Sequence, residues 1–420
     1  MSNMKYGIKT LDDFDFKGKT VIARLDLNCP YDPESFKLKD TTRIKAAIPT
    51  IKELSDAGAK LVLLTHQGGD LEYHNYISAK LHGEVISKLL GKDIKFIDDV
   101  CGPAARNEVK NLSSGNILLL DNVRHMAEEM TLFETKLKLS PEQQAKTIIV
   151  KKLAPLADIY ICDAFAAAHR DQPTLVGFEE LLPSAMGRLF EKEYGILSKI
   201  MESPEHPVIF ALGGAKIEDA FSMMGQVLSK GIADNILSSG LLGQLFLMAS
   251  GIDLGPKTEE VIYAKKLDKY LDQAKKILLD YEGSIVTPID FAYASDRRYE
   301  IDITDLPAEH AITDIGSKTI DMYKGIIDNA KTVFINGPVG VFENTETEYG
   351  TKELFTHTAK SDCLSVIGGG DSITAASMFV PEGGFSYMCT GGGAMVRFLS
   401  GEELPVVKAL KKGGKIQERI

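Results

Sequence analysis

Two lysine- and aspartate-bearing glycine turns carry the plainest chemistry in this chain. In CLSVIGGGDSITA (363–375) an apolar run ends in Gly368, Gly369 and Gly370, and Asp371 and Ser372 follow at a plausible helix start. In VIFALGGAK (208–216) a similar run ends in Gly213 and Gly214, with Lys216 two residues on. A strand that turns through glycines into a helix leaves unpaired N–H groups and a positive dipole end facing a ligand, which suits phosphate. Asp371 could cap that helix or hold a Mg²⁺ carried by the phosphates. Lys216 could reach a phosphate, although the spacing is not that of a Walker loop. Three further strand ends carry glycine: Ser239-Gly240, Asn336 to Glu343 with Gly337, Pro338 and Gly340, and Gly391 to Gly393. A rigid Gly-Pro turn could hold a flat base and Glu343 could bond ribose hydroxyls. Each cluster alone reads equally well as a tight turn. Five on one sheet edge describe a bare backbone surface that suits a nucleotide.

The first half carries cations instead. Arg24, Asp26 and Asn28 alternate after the apolar run Val21-Ile22-Ala23, so they share one face of an extended segment. Arg43 falls in the first turn of a helical stretch, where a cation opposes the helix dipole, and that conflict hints at a ligand. His66, Arg124, and the pair His169 and Arg170 each follow an apolar strand. One arginine after a strand is ordinarily a surface residue. Several converging on one edge of an acidic protein repel one another and need an anion to offset them. A small, multiply charged acid is the expected ligand here.

The elements that must position these residues alternate. Strands at 60–66, 94–97, 116–120 and 158–162 are separated by helical stretches at 77–90, 101–111 and 141–157. The second half repeats the pattern with strands at 208–212, 235–238, 284–289 and 332–336. Such alternation predicts doubly wound parallel sheets with ligands at the carboxyl ends of the strands. A chain of 420 residues exceeds one core, so two lobes are expected. The amphipathic stretch 183–201, with Pro183 at its start and ESPEHP after it, reads as a hinge helix between them. The expected division is 1–183 for the acid lobe, 184–203 for the hinge and 204–395 for the nucleotide lobe. The lysine-rich remainder, 396–420, is either a surface segment or a return onto the first lobe.

Composition narrows the class. Hydrophobic content of 44% and charged content of 25% describe an ordinary globular protein. No apolar run reaches membrane-spanning length, and the start MSNMKYGIKT lacks a signal-peptide core. Five scattered cysteines without a CxxC pair fit reduced thiols in a cytoplasmic protein. A net charge of −11 argues against nucleic acid as a partner.

In order along the chain stand RLDLNCP, TRIKAAIPTI, THQGG, LLLDNVR, CDAFAAAHR, LGGAKIED, INGPVGVFE, GGGDS and TGGGA. This series resembles phosphoglycerate kinase across essentially the whole chain, with AFAAAHRDQP and GGAKIEDA most similar to the archaeal branch. The resemblance implies two Rossmann-like lobes that close about a hinge. The first would hold 3-phosphoglycerate or 1,3-bisphosphoglycerate through Asp26, Asn28, Arg43, His66, Arg124 and Arg170. The second would hold Mg²⁺ with ATP or ADP through Gly213, Gly214, Lys216, Gly240, Asn336, Pro338, Glu343, Gly369, Gly370, Asp371 and Ser372, with Asp371 on the metal. Arg43, Lys216, Gly370 and Gly393 would act in transfer, in a monomer or homodimer. Four positions depart from the family pattern. Gly69, followed by Asp70, replaces a usual arginine; Ala220 replaces a lysine common in bacterial and eukaryotic members and often lacking in archaeal ones, Cys162 an asparagine and His125 an aromatic residue. The Gly69 departure keeps open a kinase for a different phosphorylated acid. A nucleotide-binding regulator without turnover is the alternative of another class, and the presence of both Arg43 and Lys216 speaks against it.

Overall fold

A computed structural model describes residues 6–69 and 75–416, so Asp70 lies outside the described residues. By its internal contacts the chain divides into two units, Met1–Ile196 with Glu403–Ile420, and Leu197–Glu402.

In the first unit six apolar runs pair in parallel: β1 (Thr20–Leu25), β2 (Lys60–Leu64), β3 (Lys95–Ile97), β4 (Ile117–Leu120), β5 (Ile159–Asp163) and β6 (Ser184–Met186). Their order is β3-β4-β2-β1-β5-β6. Val21 lies opposite Leu61 on one side and Ile159 on the other, so β1 is central. Its residues from Val21 to Leu25 are all buried, as a parallel strand covered on both faces requires. Helix α1 (Thr42–Asp56) turns Ile44, Ala47, Ile51 and Leu54 inward at helical spacing, onto a core containing Val21, Leu61 and Ile161. Strand order reverses about β1, and at such a switch point the strand ends leave a crevice for a ligand.

Two expected boundaries move. Helix α2 runs Lys80–Leu90 rather than from 77, because the Asp121 carboxylate accepts the Ala79 N–H at 2.7 Å and fixes the start. The helix expected from Pro183 begins only at Arg188, as α3 (Arg188–Glu202). Ser184 to Met186 instead pair with Tyr160 to Cys162 as the edge strand β6. The helix start is set by Asp163, whose Oδ1 accepts the Phe190 N–H at 2.9 Å. Gly187 permits that approach, since a Cβ there would lie 2.4 Å from the same oxygen. The line between the two units falls within α3.

The second unit repeats the plan with β7 (Val208–Leu212), β8 (Asn235–Ser238), β9 (Ile285–Val286), β10 (Asp290–Ala294), β11 (Arg298–Asp302), β12 (Asp314–Ile315), β13 (Thr332–Asn336), β14 (Leu364–Gly368) and β15 (Tyr387–Cys389). The parallel sheet runs β9-β8-β7-β13-β14-β15. The strand expected over 284–289 shrinks to β9. The chain then turns into a separate antiparallel sheet, β11-β10-β12, that the alternating pattern did not announce. Helices α4 (Ile217–Ser229), α5 (Gly240–Ala249), α6 (Gly370–Phe379) and α7 (Gly392–Leu399) each follow a strand of the parallel sheet.

Helix α8 (Pro405–Gly413) belongs to the first unit. Lys412 Nζ lies 2.8 Å from Glu142 and 2.6 Å from Glu180, and the Val406 N–H donates to the Ala168 carbonyl. Among the described residues no helix is long and apolar enough to cross a membrane.

Candidate active site

In the first unit the polar residues gather where β1, β2, β4 and β5 end. Asp26, just past β1, is 6% exposed and accepts from Arg43 Nη1 at 2.5 Å and from the Asn28 N–H at 3.1 Å. Burial raises its pKa, but Arg43, His66, the Asn28 N–H and Arg24 together outweigh burial and hold the carboxyl at about 2. The pairing accounts for a cation in the first turn of α1: Asp26 offsets the dipole conflict. Asn28 Oδ1 accepts the Gly68 N–H at 3.0 Å, and Arg124 Nη1 donates to the Gly68 carbonyl. His66 Nδ1 lies 4.0 Å from Asp26 Oδ1. Burial drives the imidazole pKa well below its ordinary range; Asp26 opposes this, while Arg24, Arg124 and Arg170 add to the fall. Arg170 lies 3.9 Å from Glu134 and within electrostatic reach of His66. Asp26, Asn28, Arg43, His66, Arg124 and Arg170 therefore share one basin.

Several residues that hold this basin were not among the expected site residues. Arg24 is fully buried in β1 and donates to Thr174 Oγ1 at 3.0 Å and to the Leu25 carbonyl. Glu129, also fully buried, accepts the Thr174 N–H at 2.6 Å and its hydroxyl at 2.8 Å. Burial lifts the Glu129 carboxyl to about 7, against the pull of Arg24 and Thr174. The Gln67 amide bonds both the N–H and the carbonyl of Cys29, and Asn122 bonds the N–H and the carbonyl of Gln67. Arg24 did leave a trace, as a charge inside an apolar strand, which needs a buried partner. Its side-chain partners Thr174 and His66 lie 150 and 42 residues away in the chain, too far for a local pattern to join them to it.

In the second unit the glycine turns interlock at the switch point between β7 and β13. The Gly213 N–H donates to the Asn336 carbonyl, the Gly214 N–H to that of Pro338, and the Gly240 N–H to that of Val339. Gly337 has φ +93°, and a Cβ on it would lie 2.2 Å from the Gly213 carbonyl oxygen. No side chain fits at that crossing. Beyond it, Ser372 Oγ accepts the Gly337 N–H at 2.7 Å, tying α6 to the β13 turn. Gly213, Gly214, Lys216, Asn336, Gly369, Gly370, Asp371 and Ser372 line one narrow recess. It adjoins a cavity of about 450 Å³ through Gly214, Ala215 and Asp371. Gly240, Pro338 and Glu343 line that cavity with Leu241, Val261, Ile312 and Phe342. Gly393, on α7, lines neither space. The apolar wall was not foreseen, because its residues come from four separated segments and read locally as core. Its 311–313 segment is held by Thr258 and Gln244, which bond the N–H and carbonyl of Ile312.

Charge and positioning are what these two sites offer, and phosphoryl transfer asks for little else. By class this is a two-unit α/β kinase of small molecules. The sequence profile of the phosphoglycerate kinase family matches residues 11–402. Phosphoglycerate kinase of Methanothermus fervidus is 42% identical over 411 residues, 98% of each chain. That of Thermococcus kodakarensis is 43% identical over 406 residues, 96% of each. The crystal structure of phosphoglycerate kinase from Pyrococcus horikoshii superposes with a TM-score of 0.86 at 40% identity, covering 96% of this chain and 98% of that one. The phosphoglycerate kinase of Coxiella burnetii gives 0.82 at 28% identity, over 97% and 100%. The chain belongs to the phosphoglycerate kinase family.

Proposed function

We propose that this enzyme reversibly transfers the γ-phosphoryl group of Mg-ATP to the carboxylate of 3-phosphoglycerate, giving ADP and 1,3-bisphosphoglycerate in glycolysis or gluconeogenesis. The observation that carries the reading is the basin around Asp26, where arginines from separate strand ends surround one buried histidine. Its excess positive charge matches an acid bearing both a phosphate and a carboxylate. The acceptor carboxylate is ionised at neutral pH, so transfer needs no general base. It needs charge cancelled on the moving group.

In this reading Asp26, Asn28, His66, Arg124 and Arg170 bind the acid, and Arg43 also stabilises the transferring phosphoryl. Lys216, Gly370 and the other glycine N–H groups of the recess meet the phosphates from the nucleotide side, whereas Gly393 lies outside both spaces and is given no phosphate contact. The apolar cavity suits a base, and Glu343 on its wall suits ribose hydroxyls. Asp371 is exposed beside Gly370 at the start of α6, a fitting single carboxylate for a Mg²⁺ that keeps phosphate oxygens and water as its other ligands. Among the described residues no group of three or more His, Cys, Asp or Glu could hold a metal, which favours an ion that arrives with the nucleotide. Bound there, Mg²⁺ would neutralise developing charge on the phosphates. The setting is the cytoplasm, as a monomer or homodimer.

Gly69 supports a second reading, a kinase of this fold for another phosphorylated acid, since the arginine usual in the family is absent there. The test is ATP turnover with 3-phosphoglycerate, coupled to glyceraldehyde-3-phosphate dehydrogenase and NADH oxidation. Strong Mg-dependent activity is expected. A protein that binds Mg-ADP yet gives no turnover with this acid would move the assignment to a different acceptor.

A further inference from the structure

We propose that His66 meets the acid as a neutral imidazole with its proton on Nε2, and that Arg24, braced by Thr174 and Glu129, is the positioning residue that fixes this state. The inference rests on the reading of the basin as the acid site.

Arg24 Nη2 lies 3.2 Å from His66 Nδ1. A guanidinium presents only donors, so Nδ1 must accept and cannot itself carry a proton. The proton of the ring then belongs on Nε2. An imidazolium would set N–H against N–H across this contact, inside a buried site where repulsion is poorly screened. Arg24 has little freedom to turn aside. Its Nε donates to Thr174 Oγ1 at 3.0 Å and its Nη1 to the Leu25 carbonyl, so the fork is occupied on three sides. Thr174 is fixed in turn, because its N–H and hydroxyl both donate to Glu129. Arg24 is fully buried, which suits a residue that acts through His66 rather than on a ligand.

Among the described residues, the charged groups acting on His66 are Asp26 and Arg24 of the β1 segment, Arg124 after β4 and Arg170 after β5, with Glu129 behind Arg24. Only Asp26 of those acting on the ring favours the imidazolium, and its Oδ2 is engaged by Arg43 at 2.5 Å. Arginines thus supply the charge of the basin, and His66 supplies a directional neutral donor. Acid binding should show no inflection from His66 as pH crosses the ordinary histidine range.

The test is long-range ¹H–¹⁵N correlation NMR on full-length protein labelled at histidine nitrogens, from pH 5.5 to 8, with His66→Gln for assignment. The expected result is a bare Nδ1, a protonated Nε2, no titration, and movement of the Nε2 signal when 3-phosphoglycerate is added. A ring that titrates in this range, or carries its proton on Nδ1, overturns the inference whatever binds. A neutral Nε2–H ring that 3-phosphoglycerate leaves unmoved instead overturns the acid-site reading. Thr174→Val cuts the brace without touching the ring. It should make His66 titratable and make KM for 3-phosphoglycerate vary several-fold between pH 6 and 8, with KM for Mg-ATP unchanged; Thr174→Ser should restore the wild-type profile. A folded Thr174→Val protein whose His66 signals match wild type would show that the brace does not fix the ring.

Discussion

Gly370→Ala separates what the glycines do for the fold from what they do for a ligand. Gly370 opens α6, is exposed, and a Cβ built on it meets nothing within 4 Å. Its neighbour Gly369 differs: with φ +91° and a Cβ 2.6 Å from Asn336 Oδ1, it is required by the backbone itself. Stability of the Gly370→Ala protein should therefore stay within about 0.5 kcal/mol of wild type. A nucleotide phosphate resting on the N–H groups at the mouth of α6 would meet the new methyl group and be held off them. Loss of one charge-assisted hydrogen bond costs about 1.5–3 kcal/mol, or roughly 10- to 150-fold in affinity. Calorimetric titration with Mg-ADP reads this directly, and urea unfolding reads the stability. Gly225→Ala is the control, because Gly225 lies within α4 and its Cβ also meets nothing within 4 Å. That change should leave affinity alone and stabilise by up to about 1 kcal/mol. Gly370→Ala protein that binds Mg-ADP within twofold of wild type would refute the phosphate cradle. One that loses much stability would refute the packing reasoning.

Arg43→Ala should abolish turnover while leaving Mg-ATP affinity nearly intact, because Arg43 pairs with Asp26 in the acid basin; parallel loss of nucleotide binding would refute the division of ligands between units. Acid sensitivity should trace in part to Asp26, whose carboxyl is held at about 2 against an ordinary 3.8. A depressed carboxylate stabilises the fold above its unfolded pKa, and that stability is lost as pH falls from about 4 through 2, here about 2 kcal/mol. In urea unfolding the gap between wild type and Asp26→Asn should accordingly shrink over that window, and a gap constant with pH would contradict the assignment. Gly69→Arg should tighten 3-phosphoglycerate by about 1.5–3 kcal/mol if a phosphate contact is restored. Unchanged affinity would mean that another residue already serves there.

Much of this protein is local in origin. Apolar runs of four to six residues separated by amphipathic helical stretches can bury both faces of a strand only in a parallel sheet, so the doubly wound plan was legible. The glycine turns after β7, β13 and β14 were legible for a related reason, since a strand feeding a helix marks its own carboxyl end. Arginine and histidine positions followed from the same strand ends. What the chain pattern could not disclose depends on pairings between distant segments. Ser184 to Met186 read as helix because nothing local reveals that β5 offers an open edge for them. The antiparallel sheet of β10, β11 and β12 stayed hidden among polar residues for want of a partner in view. Arg24 gained its meaning only when folding brought Thr174 and His66 against it, and Leu241, Val261, Ile312 and Phe342 became a pocket wall only when four segments met. Periodicity and turn chemistry are properties of neighbours in sequence, whereas the hydrogen-bond partner of a buried charge and the wall of a cavity exist only once the sheet has closed.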